Sequence, residues 1–190
     1  STAGIRYMMY TVALVRRTPS AIGLGAVLCL GLAGSTPADR DGQPGDIALF
    51  GPGTISTPER YESFGSISRD GTEFYFTTHR QDFGGHKIMV SGLSNGKWSE
   101  PQVLRFSGSS NDREPRLSPD GQRLYFSSNR PAVAGQPQGK LDLFMSERDA
   151  KTHQWGPAQR LEGSVNTEVH EFCPVVVTDG TLYFISARPG

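Results

Sequence analysis

Ser118-Pro119-Asp120-Gly121-Gln122-Arg123-Leu124-Tyr125-Phe126-Ser127-Ser128-Asn129-Arg130 decides the fold, because the chain writes this phrase three times. One copy runs from Asp70-Gly71 to Arg80 and another from Asp179-Gly180 to Arg188. The turn Asp recurs after 50 and then 59 residues. Self-similarity at such a period signals a repeat architecture. An acid stands eight residues before each turn Asp, at Glu62, Asp112 and Glu171. The apolar triplets Phe74-Tyr75-Phe76, Leu124-Tyr125-Phe126 and Leu182-Tyr183-Phe184 follow the turns, and each leads to a polar stub that ends in Arg. A third element repeats as Ile88–Ser91 and Leu143–Ser146, and a fourth as Trp98–Leu104 and Trp155–Leu161.

Each phrase has a physical meaning. Asp-Gly between short apolar runs predicts a hairpin with a type I′ turn, and Asn95-Gly96 predicts another. Asp70, Gly71, Asp120, Gly121, Asp179 and Gly180 are therefore structural repeat positions. Consecutive apolar residues in a short strand require cover on both faces. Four such strands per repeat, stacked on copies of themselves, make an all-β propeller of four-stranded antiparallel blades.

The middle copy, with Asp142-Leu143-Phe144 after it, resembles the PD40 repeat, the WD40-like repeat of TolB-like propellers. The first copy departs at Arg69, where the family has Pro. The third carries Val177-Thr178 and is one residue shorter before its Tyr-Phe. The lead-in Phe50–Thr57 is also similar to that of exported members. The resemblance covers residues 46–190 and implies about six blades, of which two and a half are present here. The reading is thus a C-terminally truncated fragment, with Ile47–Phe50 lending the outer strand that closes the ring. Fold by itself assigns no activity.

The first 46 residues read differently. Arg16-Arg17 precede a 13-residue apolar run from Ala21 to Ala33, with small residues after it. That is short for a membrane span and fits a signal peptide over residues 1–35. A Pro/Gly-rich linker follows at 36–46, and the propeller repeats are expected at 58–108, 109–166 and 167–190. Leu28 before Cys29 disfavours a lipid anchor, and Thr18-Pro19-Ser20 after the arginines disfavours twin-arginine export. The expected location is periplasmic or extracellular, with no integral membrane domain after signal cleavage.

The whole chain has 19 basic and 19 acidic residues. Residues 1–35 hold Arg6, Arg16 and Arg17 and no acid, so the remainder has three more acids than bases. No basic patch stands out, which argues against a nucleic-acid partner. Cys173 is then the one thiol left and reads as a buried structural residue.

Sites are thin in the sequence. Asp39-Arg40-Asp41-Gly42 lacks the Gly and Glu positions of a calcium loop. The one Gly-x-Ser-x-Gly match, Gly92-Leu93-Ser94-Asn95-Gly96, ends in the Asn95-Gly96 hairpin turn and not in the strand-to-helix turn of a nucleophile elbow. The histidines, His79, His86, His153 and His170, have no i, i+4 metal spacing. No catalytic residue, metal or cofactor is expected. The candidate binding residues are His79, Arg80, Asn129, Arg130, His170 and Glu171. His79 stands where the second copy has Asn129 and the third Ala187, and such variation is how a propeller individualises a ligand site. Pairing of Arg80, Arg130 and Arg188 with Glu62, Asp112 and Glu171 would fix blade ends. The alternative has the arginines ringing the channel mouth to bind carboxylates.

The leading expectation is an exported, non-enzymatic module that binds a protein, peptide or glycan. The family resemblance also implies an alternative, a lyase or glycosidase acting on acidic polysaccharide. A third reading is the sensor or scaffold part of a larger envelope protein.

Overall fold

The computed structural model describes residues 13–14, 48–133 and 135–189. The signal-like segment, Cys29, the 36–46 linker and Ile47 lie outside these. A two-residue strand β1 (Ala13–Leu14) pairs with β2 (Ala48–Leu49). The first blade contains β3 (Tyr61–Ile67), β4 (Glu73–His79), β5 (Lys87–Ser94), β6 (Lys97–Trp98) and β7 (Gln102–Val103), with both β6 and β7 on β5. The second is a meander of β8 (Asp112–Leu117), β9 (Arg123–Ser128), β10 (Asp142–Glu147) and β11 (Gln159–Arg160). The third consists of β12 (Glu171–Val176) and β13 (Leu182–Ser186). All pairings within the blades are antiparallel. The first strands β3, β8 and β12 approach one another in series, which puts them innermost about a common axis. This is the blade succession of a β-propeller.

The apolar triplets explain the stacking. Phe74 and Phe76 point to one face of blade 1, where Phe50 and Ile55 of the lead-in cover them with Met89 and Trp98. Tyr75 points to the other face and meets Leu124, Phe126 and Phe144 of blade 2. Alternation along a strand thus buries every member of the triplet, because each face has its own cover. In blade 3 the counterpart Tyr183 is 60% exposed. There the outer face of the two-stranded sheet has no neighbour among the described residues.

The hairpin turns correct one expectation. Gly71, Gly121 and Gly180 donate to the carbonyls of Ser68, Ser118 and Val177, three residues back. Only the Gly has positive φ, at +75, +73 and +87°, whereas the Asp before it does not. Type I′ requires positive φ at both central residues, so these are type I turns followed by a left-handed Gly. Asp120 Oδ1 instead accepts the Gln122 amide at 3.0 Å, and Asp70 and Asp179 accept the Thr72 and Thr181 amides likewise. The Ser68 hydroxyl first, and then the Thr72 amide and hydroxyl, hold the Asp70 carboxyl down to about 2. Asn95-Gly96 is the two-residue turn with both φ positive, +51 and +73°. A Cβ at Gly121 would meet nothing within 4 Å. Gly121→Ala should therefore express only the left-handed backbone penalty, about 1–2 kcal/mol, and Gly121→Asn less. Denaturant unfolding of the two variants checks this.

A second recurrent device was not visible in the sequence. Each innermost strand carries a bulge, between Ser63 and Ser66, Arg113 and Arg116, and Phe172 and Val175. At each bulge one non-glycine residue is left-handed: Phe64, Glu114 and Cys173, with φ of +52, +61 and +53°. Such strain persists only where surroundings over-determine it. Here the turned amides reach the preceding blade. Glu114 N–H donates to Thr77 Oγ1 at 3.0 Å, and Cys173 N–H donates to Glu114 Oε2 at 2.6 Å. Ser127 Oγ donates to that same Glu114 oxygen. Cys173 is half-buried rather than buried, because blade 3 is covered on one side only. Burial and the Glu114 carboxylate push its thiol up to about 11, which keeps it unreactive at neutral pH.

Candidate functional site

The Asp-Gly turns close one end of every hairpin, so the acids and arginines lie at the opposite end. Blade 2 shows what they do there. Arg130 Nη2 is 2.6 Å from Asp112 Oδ1, and Ser128 Oγ donates to the same oxygen at 2.6 Å. Arg130 also donates to the Phe106 carbonyl at the exit of blade 1, and its guanidinium lies over the Phe126 and Phe144 rings. Asp112 is fully buried. This is a lock between consecutive blades.

Blade 3 repeats the lock. Arg188 donates to the Ser164 and Val165 carbonyls at the exit of blade 2 and stands 3.8 Å from Glu171. Glu171 is fully buried and accepts from Ser186 Oγ, from Thr167 Oγ1 and from the Thr167 amide. Burial raises its pKa, but these bonds and the Lys140 ammonium outweigh that, so the carboxyl titrates below its ordinary value. His170 Nδ1 accepts the Leu141 amide at 3.0 Å, as Asn111 Oδ1 accepts the His86 amide one blade earlier. Asn129 ties Asn111 N–H to Gln138. Four of the six expected binding residues are thus engaged between blades or in loop anchoring.

Blade 1 breaks the pattern. Arg60, outside the repeated phrase, forms the ion pair with Glu62 at 3.5 Å and donates to the Thr54 and Ile55 carbonyls of the lead-in. Those carbonyls stand where Phe106 and Val165 stand in the later blades. The pair is looser than that of blade 2, and burial raises the Glu62 pKa with Arg60 only partly offsetting it. Arg80 is thereby released. Its side chain is 68% exposed and grips Asp82 instead, Nε to Oδ1 at 3.1 Å and Nη2 to Oδ2 at 3.0 Å.

The loop around Arg80 is built closely. Phe83 N–H donates to the Arg80 carbonyl and Arg80 N–H to the Gly84 carbonyl, both at 3.0 Å. A Cβ at Gly84 would stand 2.5 Å from Arg80 Nη2, and one at Gly85 3.2 Å from Nη1. Glycine at both positions is what lets the guanidinium lie across the loop. Phe83 is left-handed at φ +57°, an uncommon conformation for a bulky residue. This places its ring 4.9 Å from the His79 ring, stacked, while His79 also stacks on Tyr61 at 5.7 Å. His79 Nδ1 lies 2.7 Å from the Arg80 carbonyl oxygen. A carbonyl only accepts, so Nδ1 carries the proton of that bond.

Behind this ledge lies His86, buried, with its ring 5.1 Å from His79. Burial, then the charge of Arg113 and the neighbouring His79, push its pKa down to about 4. The i, i+7 spacing of the two histidines gave no motif, and the loop brings them together. Among the described residues no group of three metal-ligating side chains converges.

Two grooves lie elsewhere. One of about 320 Å³ runs between Arg123, Tyr125 and Val176 at the Asp-Gly end. One blade earlier that position is filled: the Tyr75 hydroxyl is met by Arg148 and by Trp155 Nε1, and Arg148 also holds the Glu73 carboxylate. The groove is therefore a place between blades. The other, about 220 Å³, lies under the Pro131–Gly139 loop beside Lys140. No helix among the described residues is long and apolar enough to cross a membrane.

No family model and no curated protein matches the chain. Among solved structures it is similar to a putative TolB from Agrobacterium tumefaciens, at 21% identity and a TM-score of 0.48, over 70% of this chain and 40% of that one. It is also similar to TolB from Acinetobacter baumannii, at 22% identity and a TM-score of 0.43, over 66% of this chain and 26% of that one. The chain thus spans less than half the length of either. The propeller assignment stands on strand order, the inner-strand series and the repeated locks.

Proposed function

We propose that the protein is an exported, non-enzymatic β-propeller module that binds its ligand at the end of blade 1 opposite the Asp-Gly turns. One observation carries this reading. The arginine that locks blades 2 and 3 to their predecessors is duplicated in blade 1, where Arg60 takes over the lock and Arg80 faces solvent beside Tyr61, His79 and Phe83. The Arg–acid lock recurs in blades 2 and 3, so this ledge is where blade 1 departs from it. Arg and aromatic side chains are also the types that dominate recognition surfaces. The signal-like residues 21–33 support export to the periplasm or beyond.

The test uses the full-length protein on arrays of glycans and of peptides. The double variant His79→Asn, Phe83→Ala, which gives blade 1 the Asn of blade 2, should lose the retained ligand with an unchanged melting temperature. A ligand held equally by both proteins would place binding elsewhere.

A further inference from the structure

We infer that Arg113 and Arg116, which flank the bulge of the innermost strand β8, bind an oxyanion, the carboxylate or phosphate group of a small molecule, on the axial side of blade 2. This site is separate from the ledge and stands on a different observation. Arg113 is half-buried, and its Nε is shielded from water with no hydrogen-bond partner among the described residues. A lysine or histidine so placed could shed its proton, but a guanidinium stays ionised. The buried donor therefore calls for an acceptor, and an oxyanion meets Nε and one Nη together through two parallel bonds.

The acids nearby do not supply that acceptor. Asp112 is held by Arg130 and Ser128, and alternation along the strand sends its side chain away from that of Arg113. Glu114 Oε2 accepts from Ser127 Oγ and from the Cys173 amide. Glu62 pairs with Arg60, and Glu171 with Arg188 and Lys140. The repeated arginines Arg80, Arg130 and Arg188 each face a carboxylate of their own. Among the described residues Arg113 and Arg116 form no ion pair. Arg116 is exposed and commits only Nη1, to the Gly65 carbonyl of blade 1 at 3.2 Å.

Both guanidinium groups act at one place. The Cys173 thiol, raised by burial and by Glu114, is pulled back by Arg116 and then by Arg113, so both cations stand within electrostatic reach of the same residue on β12. On the other side Arg113 acts on His86 of blade 1, where after burial its charge is the main influence that keeps the imidazole neutral. A bulge re-aims side chains in this way. Two cations against the carboxylate of Glu114 leave the spot net positive.

The experiment measures the melting temperature of the full-length protein at neutral pH in sodium phosphate and in sodium succinate, each against sodium chloride of equal ionic strength, with calorimetric titration giving the affinity. At least one oxyanion should raise the melting temperature above the chloride value, as a ligand held by the folded state alone must, and the one that does identifies the preferred group. Arg113→Gln should weaken this binding about tenfold or more, and Arg116→Gln should weaken it as well. Arg113→Lys keeps the charge but loses the side-on pair of donors, so it too should bind weakly. Arg105→Gln removes the same charge from an exposed position and should change nothing. Without anion, Arg113→Gln should be at least as stable as the wild type, the opposite of what a structural arginine shows. His86 gives an independent reading by NMR. His79 and Asn111 also face its ring, but only the charge of Arg113 is offset by the anion. Saturation should therefore raise the His86 pKa in the wild type and leave it unmoved in Arg113→Gln. An oxyanion effect no larger than that of chloride, equal loss in Arg105→Gln, undiminished binding in Arg113→Gln or a destabilised Arg113→Gln each overturns the site.

Discussion

Replacing Arg130 with alanine will destabilise the full-length protein by about 3–5 kcal/mol. The reason is the partner left behind. Asp112 is fully buried, its Oδ1 is held by Arg130 and Ser128, and its Oδ2 has no hydrogen-bond partner among the described residues. Removing the guanidinium strands a carboxylate away from water and breaks the bond to the Phe106 carbonyl of the preceding blade. It also removes the contacts over Phe126 and Phe144. The double variant Asp112→Asn, Arg130→Met separates these effects. If the stranded charge dominates, the double variant will be more stable than Arg130→Ala; if lost packing dominates, the two will match. Arg80→Ala is the control, because Arg80 bonds to exposed Asp82 and, among the described residues, to no neighbouring blade. Its melting temperature should equal that of the wild type. Equal losses at Arg80 and Arg130 would contradict the division of labour between the two blades.

That division shows where the sequence could be read and where it could not. The acid and Arg of the phrase lie at opposite ends of a hairpin sequence that folds back on itself, so their meeting follows from register alone. The triplets likewise declare two buried faces, since three consecutive apolar residues on a strand cannot all face one way. The lock of blade 1 is different. Arg80 satisfies the phrase perfectly in sequence, yet Arg60 reaches the same acid from the start of β3. Nothing local distinguishes the two, because the choice is made by the lead-in carbonyls of Thr54 and Ile55. The left-handed residues Phe64, Glu114 and Cys173 were hidden for a related reason. None is a residue type that favours positive φ, and at Glu114 and Cys173 the turned amide finds its acceptor on the preceding blade. The turn type was misread because Asp-Gly serves two geometries. In a five-residue connection the Asp side chain caps the next amide and only the Gly turns left-handed, whereas Asn95-Gly96 joins its strands directly.

The folded protein should lose stability as pH falls from about 6.5 to about 4, and His86 should account for as much as about 3 kcal/mol of that loss. Its folded pKa is depressed to about 4 from an ordinary 6.5, first by burial, then by Arg113 and His79, with an Asn111 hydrogen bond opposing. Between those values the unfolded chain binds a proton that the folded protein refuses, so stability is complete above pH 6.5 and falls on acidification until the folded state also takes the proton. Glu62 acts with the opposite sign, because its raised pKa makes the folded state the better proton acceptor. Glu171, held low, adds acid sensitivity only below the ordinary carboxylate range. The measurement that isolates His86 is the difference between wild type and His86→Leu across pH 4–7.5 by denaturant unfolding. Leucine is the residue blade 2 carries at this position, Leu141, and the backbone bonds of His86 to Asn111 and Asp112 do not involve its ring. Whatever constant offset the substitution brings, the wild-type curve should fall relative to the variant below pH 6.5. Parallel curves would mean that the imidazole is as easily protonated in the fold as out of it, and that the ledge above it stands on a charged group rather than a neutral one.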